Sequence, residues 1–355
     1  MLVKTSAVLT TAFTAALIRA SLDGFARLAS HRLVSRSDAA AQLSGLEGWR
    51  TYERDLLLGL ASALDEQSPA SFGVKSAWSR DAFSARSVSL DTLTTALTSL
   101  REVLEESLPL EARAHIQPYF EAARVELKRP ASTQESAIGA DDRFAAIAFA
   151  HVTALIDYDE ERALAIVLDE IDARRMSATD ALEHVIVPAQ RELGRRWHRG
   201  ELGIAEEHFA TGVTRRAIER ILTRAPRSER NEWTVVVTSV EGDAHDLGVS
   251  IVSAFFELAG WKSICLGANT PVDDVVRIVE RFDADVVALG ATIDIQREAA
   301  AQTIAALRKA RPNQFIVVGG GAFQTPPHAW QRVGADAFAS SPRDAVEVAR
   351  RLVTD

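Results

Sequence analysis

After Pro226 the chain changes texture. Four short β-branched runs, TVVVTS, SICL, DVVAL and FIVVG, alternate with amphipathic stretches near 247–259, 272–282, 295–310 and 343–353. Strands separated by helices cannot pair as hairpins; each crossover lays the next strand parallel, and a parallel sheet is covered by helices on both faces. Residues 226–355 are therefore expected to form a doubly wound parallel sheet, with Thr270, Pro271 and Asp273 opening one of its helices. Ligands of such sheets bind beyond the carboxyl ends of the strands. Two loops fall there: EGDAHDLG (241–248) after the first run and GGG (319–321) after the fourth.

The preceding region is helical. Residues 143–225 predict a four-helix bundle with helices near 143–156, 160–175, 178–198 and 204–224, capped from Asp157 or Asp159 and from Ser177 or Thr179. Residues 131–142 are poor in large apolar side chains and read as a linker. Residues 1–130 predict an all-α domain, in which Leu90, Leu93, Leu97, Leu100 and Leu104 recur at helical spacing behind Ser89 and Asp91. Pro109 and Pro118 are expected to break its end into a short helix pair.

A chain of 355 residues suits two or three domains. Its net charge of −9, without a lysine or arginine block, gives no electrostatic footprint for nucleic acid. Cys265 is the single cysteine, which excludes a disulfide framework or a cysteine-built metal site and fits a reducing cytoplasm. It reads as a buried strand residue. The apolar start resembles a signal peptide, but Thr5, Thr10, Thr11, Thr14 and Arg19 interrupt it, and a first domain helix is expected instead. No run reaches the roughly 18–20 apolar residues of a membrane span.

The loop histidine carries the chemistry. A carboxylate on one imidazole nitrogen fixes the tautomer and makes the other nitrogen a better metal ligand, and Asp243 stands two residues from His245. No cysteines or further histidines cluster there, so a bare zinc ion fits poorly. A cofactor with its own equatorial ligands needs only one histidine, and haem or a corrinoid qualifies.

Asp243, His245 and Gly248 form D-x-H-x-x-G, which resembles the signature of flavodoxin-like (Rossmann-type) cobalamin-binding domains shared by methionine synthase, corrinoid methyl carriers and several mutases. The resemblance implies that His245 replaces the cofactor's own base below cobalt, that Asp243 tunes it, and that the nucleotide tail passes Gly248 into the sheet. Forty-one residues separate Gly248 from Gly290, and 26 separate Thr292 from Gly319-Gly320, in keeping with that family's spacing. Gly290 stands where the family has a serine; Thr292 is expected to supply the missing hydroxyl.

The bundle adds a second resemblance. Trp197 is followed after nine residues by Glu207-His208, and W-x9-E-H is similar to the adenosyl-pocket signature of CarH-like cobalamin photoreceptors. This implies adenosylcobalamin, with Trp197, Ile204, Glu207 and His208 around the adenosyl group and His198 as an upper cobalt ligand after photolysis. Glu207 could accept ribose hydroxyls. Each residue also has a plainer role: Trp197 as bundle core, His208 as a satisfied helix histidine, His198 as an exposed residue between Arg196 and Arg199. Ordinary corrinoid carriers share a G-E-x-x-x-A-x-E-H run, so Trp197 and His198 discriminate.

No phosphate loop, kinase or cyclase motif marks an enzymatic output. Residues 1–130 lack the basic DNA-binding domain of the transcriptional photoreceptors. They resemble the helical region of photocobilins, which implies biliverdin as a second chromophore, or else they dimerise or dock a partner. The expectation is a non-enzymatic light sensor that changes its assembly, a homo-oligomer with an unidentified downstream protein partner. The alternatives are a corrinoid methyl carrier of a methyltransferase system and a cobalamin-dependent antirepressor.

Overall fold

The computed structural model describes residues 2–43, 45–130, 136–139, 142–226 and 228–354. Most of the expected linker, residues 131–135, 140 and 141, lies outside them. The chain divides into two compact units: Met1–Gln134 with His198–Glu201, and Glu135–Trp197 with Leu202–Asp355.

The first unit is built from α1 (Leu2–Ala20), α2 (Leu22–Arg36), α3 (Leu46–Glu66), α4 (Pro69–Ser84), α5 (Leu90–Ser107) and α6 (Leu110–Lys128). Ser89 caps α5 by accepting the Thr92 amide, and the leucine stripe behind it is buried from Leu93 onward; Leu90, at the first helical position, is exposed. Leu56, Leu60, Leu100, Ile116 and Phe120 share the core. Pro118 does not end a helix, contrary to expectation. It lies inside the 19-residue α6 on the exposed face, as does Ala114, whose freed carbonyl water can satisfy. The buried face at Ile116, Tyr119, Phe120 and Ala123 offsets the lost bond.

The second unit opens with α7 (Ala145–Ile156), α8 (Glu160–Asp172), α9 (Ala178–Asp180), which continues through a π-helical stretch (Ala181–Ile186) into α10 (Val187–His198), and α11 (Ile204–Arg224). The sheet follows: β1 (Thr234–Ser239), α12 (Leu247–Leu258), β2 (Lys262–Gly267), α13 (Val272–Phe282), β3 (Val286–Gly290), α14 (Arg297–Ala310), β4 (Phe315–Gly319), α15 (Ala329–Arg332), β5 (Ala337–Ala339) and α16 (Pro342–Thr354). The five strands run parallel in the order β2-β1-β3-β4-β5. Every residue of β1 is buried, as expected of a strand covered on both faces. Val236 joins α13 and α14 on one side, while Val235 and Val237 join α12 and α16 on the other.

Two features position the site. Strand order reverses between β1 and β3, which opens a crevice at their carboxyl ends. Helix α12 also contributes Ile251, Ala254, Phe255 and Leu258 to the core of α7, α8, α10 and α11, so the helical module and the sheet share one hydrophobic interior. Cys265 is exposed rather than buried, because β2 is an edge strand. Among the described residues no helix is long and apolar enough to cross a membrane.

Candidate corrinoid site

The loop after β1 is held at both ends. Ser239 Oγ donates to the His245 carbonyl at 2.7 Å, and the Gly242 amide donates to Asn269 Oδ1 at 2.7 Å, with Gly242 in the left-handed region at φ 83° that glycine tolerates. Asp243 is thereby turned inward, 1% exposed. Its Oδ1 accepts the His245 amide at 3.0 Å and His245 Nδ1–H at 2.8 Å; its Oδ2 accepts the Thr292 amide and hydroxyl, both at 2.9 Å. Four donors thus satisfy one buried carboxylate.

Charge follows from that wiring. Burial pushes the Asp243 carboxyl up, but the hydrogen bonds from His245 and Thr292 outweigh it and hold the group below its ordinary value. His245 is raised, first by its bond to Asp243 against the opposing effect of burial, then by the charges of Asp243, Glu207 and Asp246. With Nδ1 committed, Nε2 is the nitrogen left for an axial bond, and the side chain is 67% exposed. Among the described residues no three His, Cys, Asp or Glu side chains cluster as a bare-metal site.

Beside the histidine lies a cavity of about 340 Å³ that runs into the crevice. Asp243, His245, Gly248, Thr292, Gly319 and Gly320 all line it. A Cβ at Gly248 would meet no protein atom within 4 Å, so the space there is open to a ligand. At Gly320, φ is 98° and a Cβ would stand 2.3 Å from the Ala291 carbonyl oxygen, which only glycine avoids. These are the features that a threaded cofactor tail requires: a free imidazole nitrogen, an open glycine beside it and a wall of close-packed backbone. The donor set and the cradle fit a corrinoid.

One expectation changes. The Thr292 hydroxyl proton is spent on Asp243, so Thr292 does not replace the missing serine as a donor to the tail. Gly290 itself could not simply regain a side chain, because a Cβ there would be 2.7 Å from Val249 Cγ1.

The residues expected above cobalt separate into two groups. Trp197 is half-buried against the helical core. Ile204 is 65% exposed, Glu207 Oε1 accepts the Thr211 hydroxyl at 2.7 Å, and exposed His208 stands 3.6 Å from the Glu207 carboxylate. None of the four lines the cavity, although the charge of Glu207 reaches His245. His198 is 7% exposed, not the exposed residue that flanking arginines suggested. It belongs to the first unit, where Nε2–H donates to the Trp78 carbonyl at 2.9 Å and the imidazole stacks on the Trp78 indole at 4.6 Å.

Sequence reasoning missed the α10 wall of the cavity, made by Val187, Gln190 and Arg191, and the start of α16 at Ser340–Pro342. The first was readable, since positions i, i+3 and i+4 share a helix face. The second follows β5, which three residues make too short for a periodic signal. Gln296 was missed too; its Oε1 accepts the Thr292 and Ile293 amides at 2.7 and 3.0 Å and so fixes the loop that feeds Asp243.

Comparison with known proteins agrees with this geometry. Residues 233–349 match a B12 binding domain family, and residues 150–222 match a second B12 binding domain family. A corrinoid protein of Desulfitobacterium hafniense is 27% identical over 209 residues, 56% of this chain and 94% of the relative. Dimethylamine corrinoid protein 1 of Methanosarcina acetivorans is 26% identical over 183 residues, 50% of this chain and 84% of its own length. The structure of the Methanosarcina barkeri monomethylamine corrinoid protein superposes with a TM-score of 0.53 over 59% of this chain and 99% of that one, at 16% identity; it shows the same fold. Residues 1–149 lie outside both family matches. Two B12-binding modules stand in succession, and the chain is a corrinoid-binding protein.

Proposed function

We propose that this corrinoid-binding protein holds cobalamin with its own base displaced, His245 Nε2 below the cobalt and the tail in the cavity, and that it senses light through an adenosyl group above. The observation that carries the lower half is the Asp243–His245 bond at 2.8 Å on the rim of an open cavity. The upper half rests on Trp197, Ile204, Glu207 and His208, which follow the W-x9-E-H resemblance. Bound adenosylcobalamin supplies a cobalt–carbon bond that visible light breaks.

The chain's own residues divide the work. Asp243, kept ionised by four donors, holds the imidazole in one tautomer and one orientation. Trp197 offers an apolar face, and Glu207 an acceptor for sugar hydroxyls. His198 must leave the Trp78 carbonyl before its Nε2 can serve as a second ligand. In this reading the chain has no catalytic output; assembly change is its signal. For the first unit we include biliverdin as a candidate ligand, supported by the buried Glu53 carboxyl, neither of whose oxygens has a hydrogen-bond partner among the described residues. Loading with biliverdin should give a sharpened, red-shifted band.

A second reading, a corrinoid carrier of a methyltransferase system, is favoured by the relatives, several of which are named dimethylamine or trimethylamine corrinoid proteins. One experiment separates the two. The chain is loaded with adenosylcobalamin or methylcobalamin in darkness, then lit with green light while its spectrum and mass are followed. A sensor binds the adenosyl form and changes both on illumination, with His198→Ala altering only the lit spectrum. A chain that shows no change in mass, and that accepts methyl transfer on its cobalamin, is a carrier.

A further inference from the structure

The polar side chains around the cavity are nearly all engaged within the protein. Ser239 is bonded to the His245 carbonyl, Thr292 to Asp243, Gln190 Nε2 to the Thr214 hydroxyl at 2.6 Å, and Ser340 to Asp344 at 3.0 Å. Asp243 carries the one carboxylate of the lining, and its charge is answered by His245. Arg191 differs. It lines the cavity from α10, is exposed, and makes no hydrogen bond or ion pair among the described residues, whereas Arg195 and Arg196 on the same helix are both paired with Glu192.

An arginine left free beside a cavity is a forked donor with a fixed positive charge, suited to a phosphate or carboxylate. Resting on the corrinoid reading above, we propose that Arg191 is a specificity residue that recognises the phosphodiester of the cofactor's nucleotide loop. Cobalamin's ring side chains are neutral amides, so that phosphodiester is the anionic group the intact vitamin offers. A free guanidinium on this wall makes the site select complete corrinoids over those that lack the loop, independently of the bond at His245.

The test is equilibrium binding to the purified full chain, followed by absorbance, with three probes: cyanocobalamin, cobinamide phosphate and cobinamide, which lacks phosphate and base. Arg191→Ala should weaken cyanocobalamin and cobinamide phosphate by about tenfold, the scale of one partly exposed charge-assisted hydrogen bond, and leave cobinamide unchanged. Arg191→Lys, which keeps the charge without the fork, should recover most of that loss. Equal weakening of all three probes, or of none, overturns the assignment while leaving the corrinoid reading intact. Failure of the unaltered protein to bind any of them removes both.

Discussion

The two units differ in how far they satisfy their buried carboxylates. In the second, Asp243 is buried with four donors, and Glu192, its side chain 1% exposed, accepts from Arg195, Arg196, Ser136 and the Ala137 amide. In the first, both oxygens of Glu53, Ser99 Oγ and Gln42 Oε1 are buried without partners, against His151 Nε2 and Gln314 Oε1 in the second. A satisfied network fixes one geometry, as a site for an axial ligand must. Unsatisfied groups store a cost that a ligand or a bound water can remove. The Asp243 loop is therefore held by its own donors, whereas the first unit buries a carboxyl that none of its described residues satisfies.

Removing Glu192 should break that contrast most severely. Its carboxyl is held down to about 2, chiefly by Arg195 against the pull of burial, so Glu192→Ala removes a carboxylate that two arginines share. The expected loss is about 3 kcal/mol of stability, confined to the second unit. Hydrogen exchange read segment by segment checks this; equal loss of protection across α1–α6 would contradict it.

Glu53 should behave in the reverse sense. Burial raises its carboxyl well above the ordinary 4.5, so the folded unit keeps a proton that the unfolded chain gives up. Stability of the first unit is then greatest below that value and falls as pH rises above it. Glu53→Leu should remove this slope and stabilise the unit at neutral pH by about 1–2 kcal/mol. A destabilised variant would show that the carboxyl has a partner in solution.

His151 sharpens the comparison with a smaller effect. Burial lowers it from 6.5 despite the bond between its Nδ1–H and the Ala163 carbonyl at 2.9 Å. The unfolded chain binds the extra proton, so the second unit loses stability as pH drops below about 6.5, at up to roughly 1.4 kcal/mol per pH unit. Thermal unfolding at pH 7.5 and 5.5, with and without His151→Leu, measures it. A wild-type midpoint that does not fall at the lower pH contradicts the burial argument.

The same contrast explains what was legible in the sequence. The Asp243–His245 loop was readable as a candidate site because its signal is local: three residues of one loop, one β-branched strand before it, and glycines at fixed distances. The sheet was readable because period and length give it away in β1, β3 and β4. Gln296 and the start of α16 were not, since they reach the site through tertiary packing that leaves no mark on neighbouring residues. Glu53 shows the limit most clearly. On α3 it reads as an ordinary surface charge between Tyr52 and Arg54, and only the surrounding helices make it a buried acid.

The proposed cobalt ligand, His245, can be tested directly. The chain can be prepared with ¹⁵N-labelled histidine, loaded with cobalamin and reduced to the one-electron cobalt(II) form for electron paramagnetic resonance. Each cobalt line is then split by the nitrogen beneath the metal. With His245 as the ligand, the lines are doublets from ¹⁵N, lost in His245→Ala. Triplets that persist in the labelled protein would mean that the cofactor's own base still occupies the lower position, and His245 would not be the ligand.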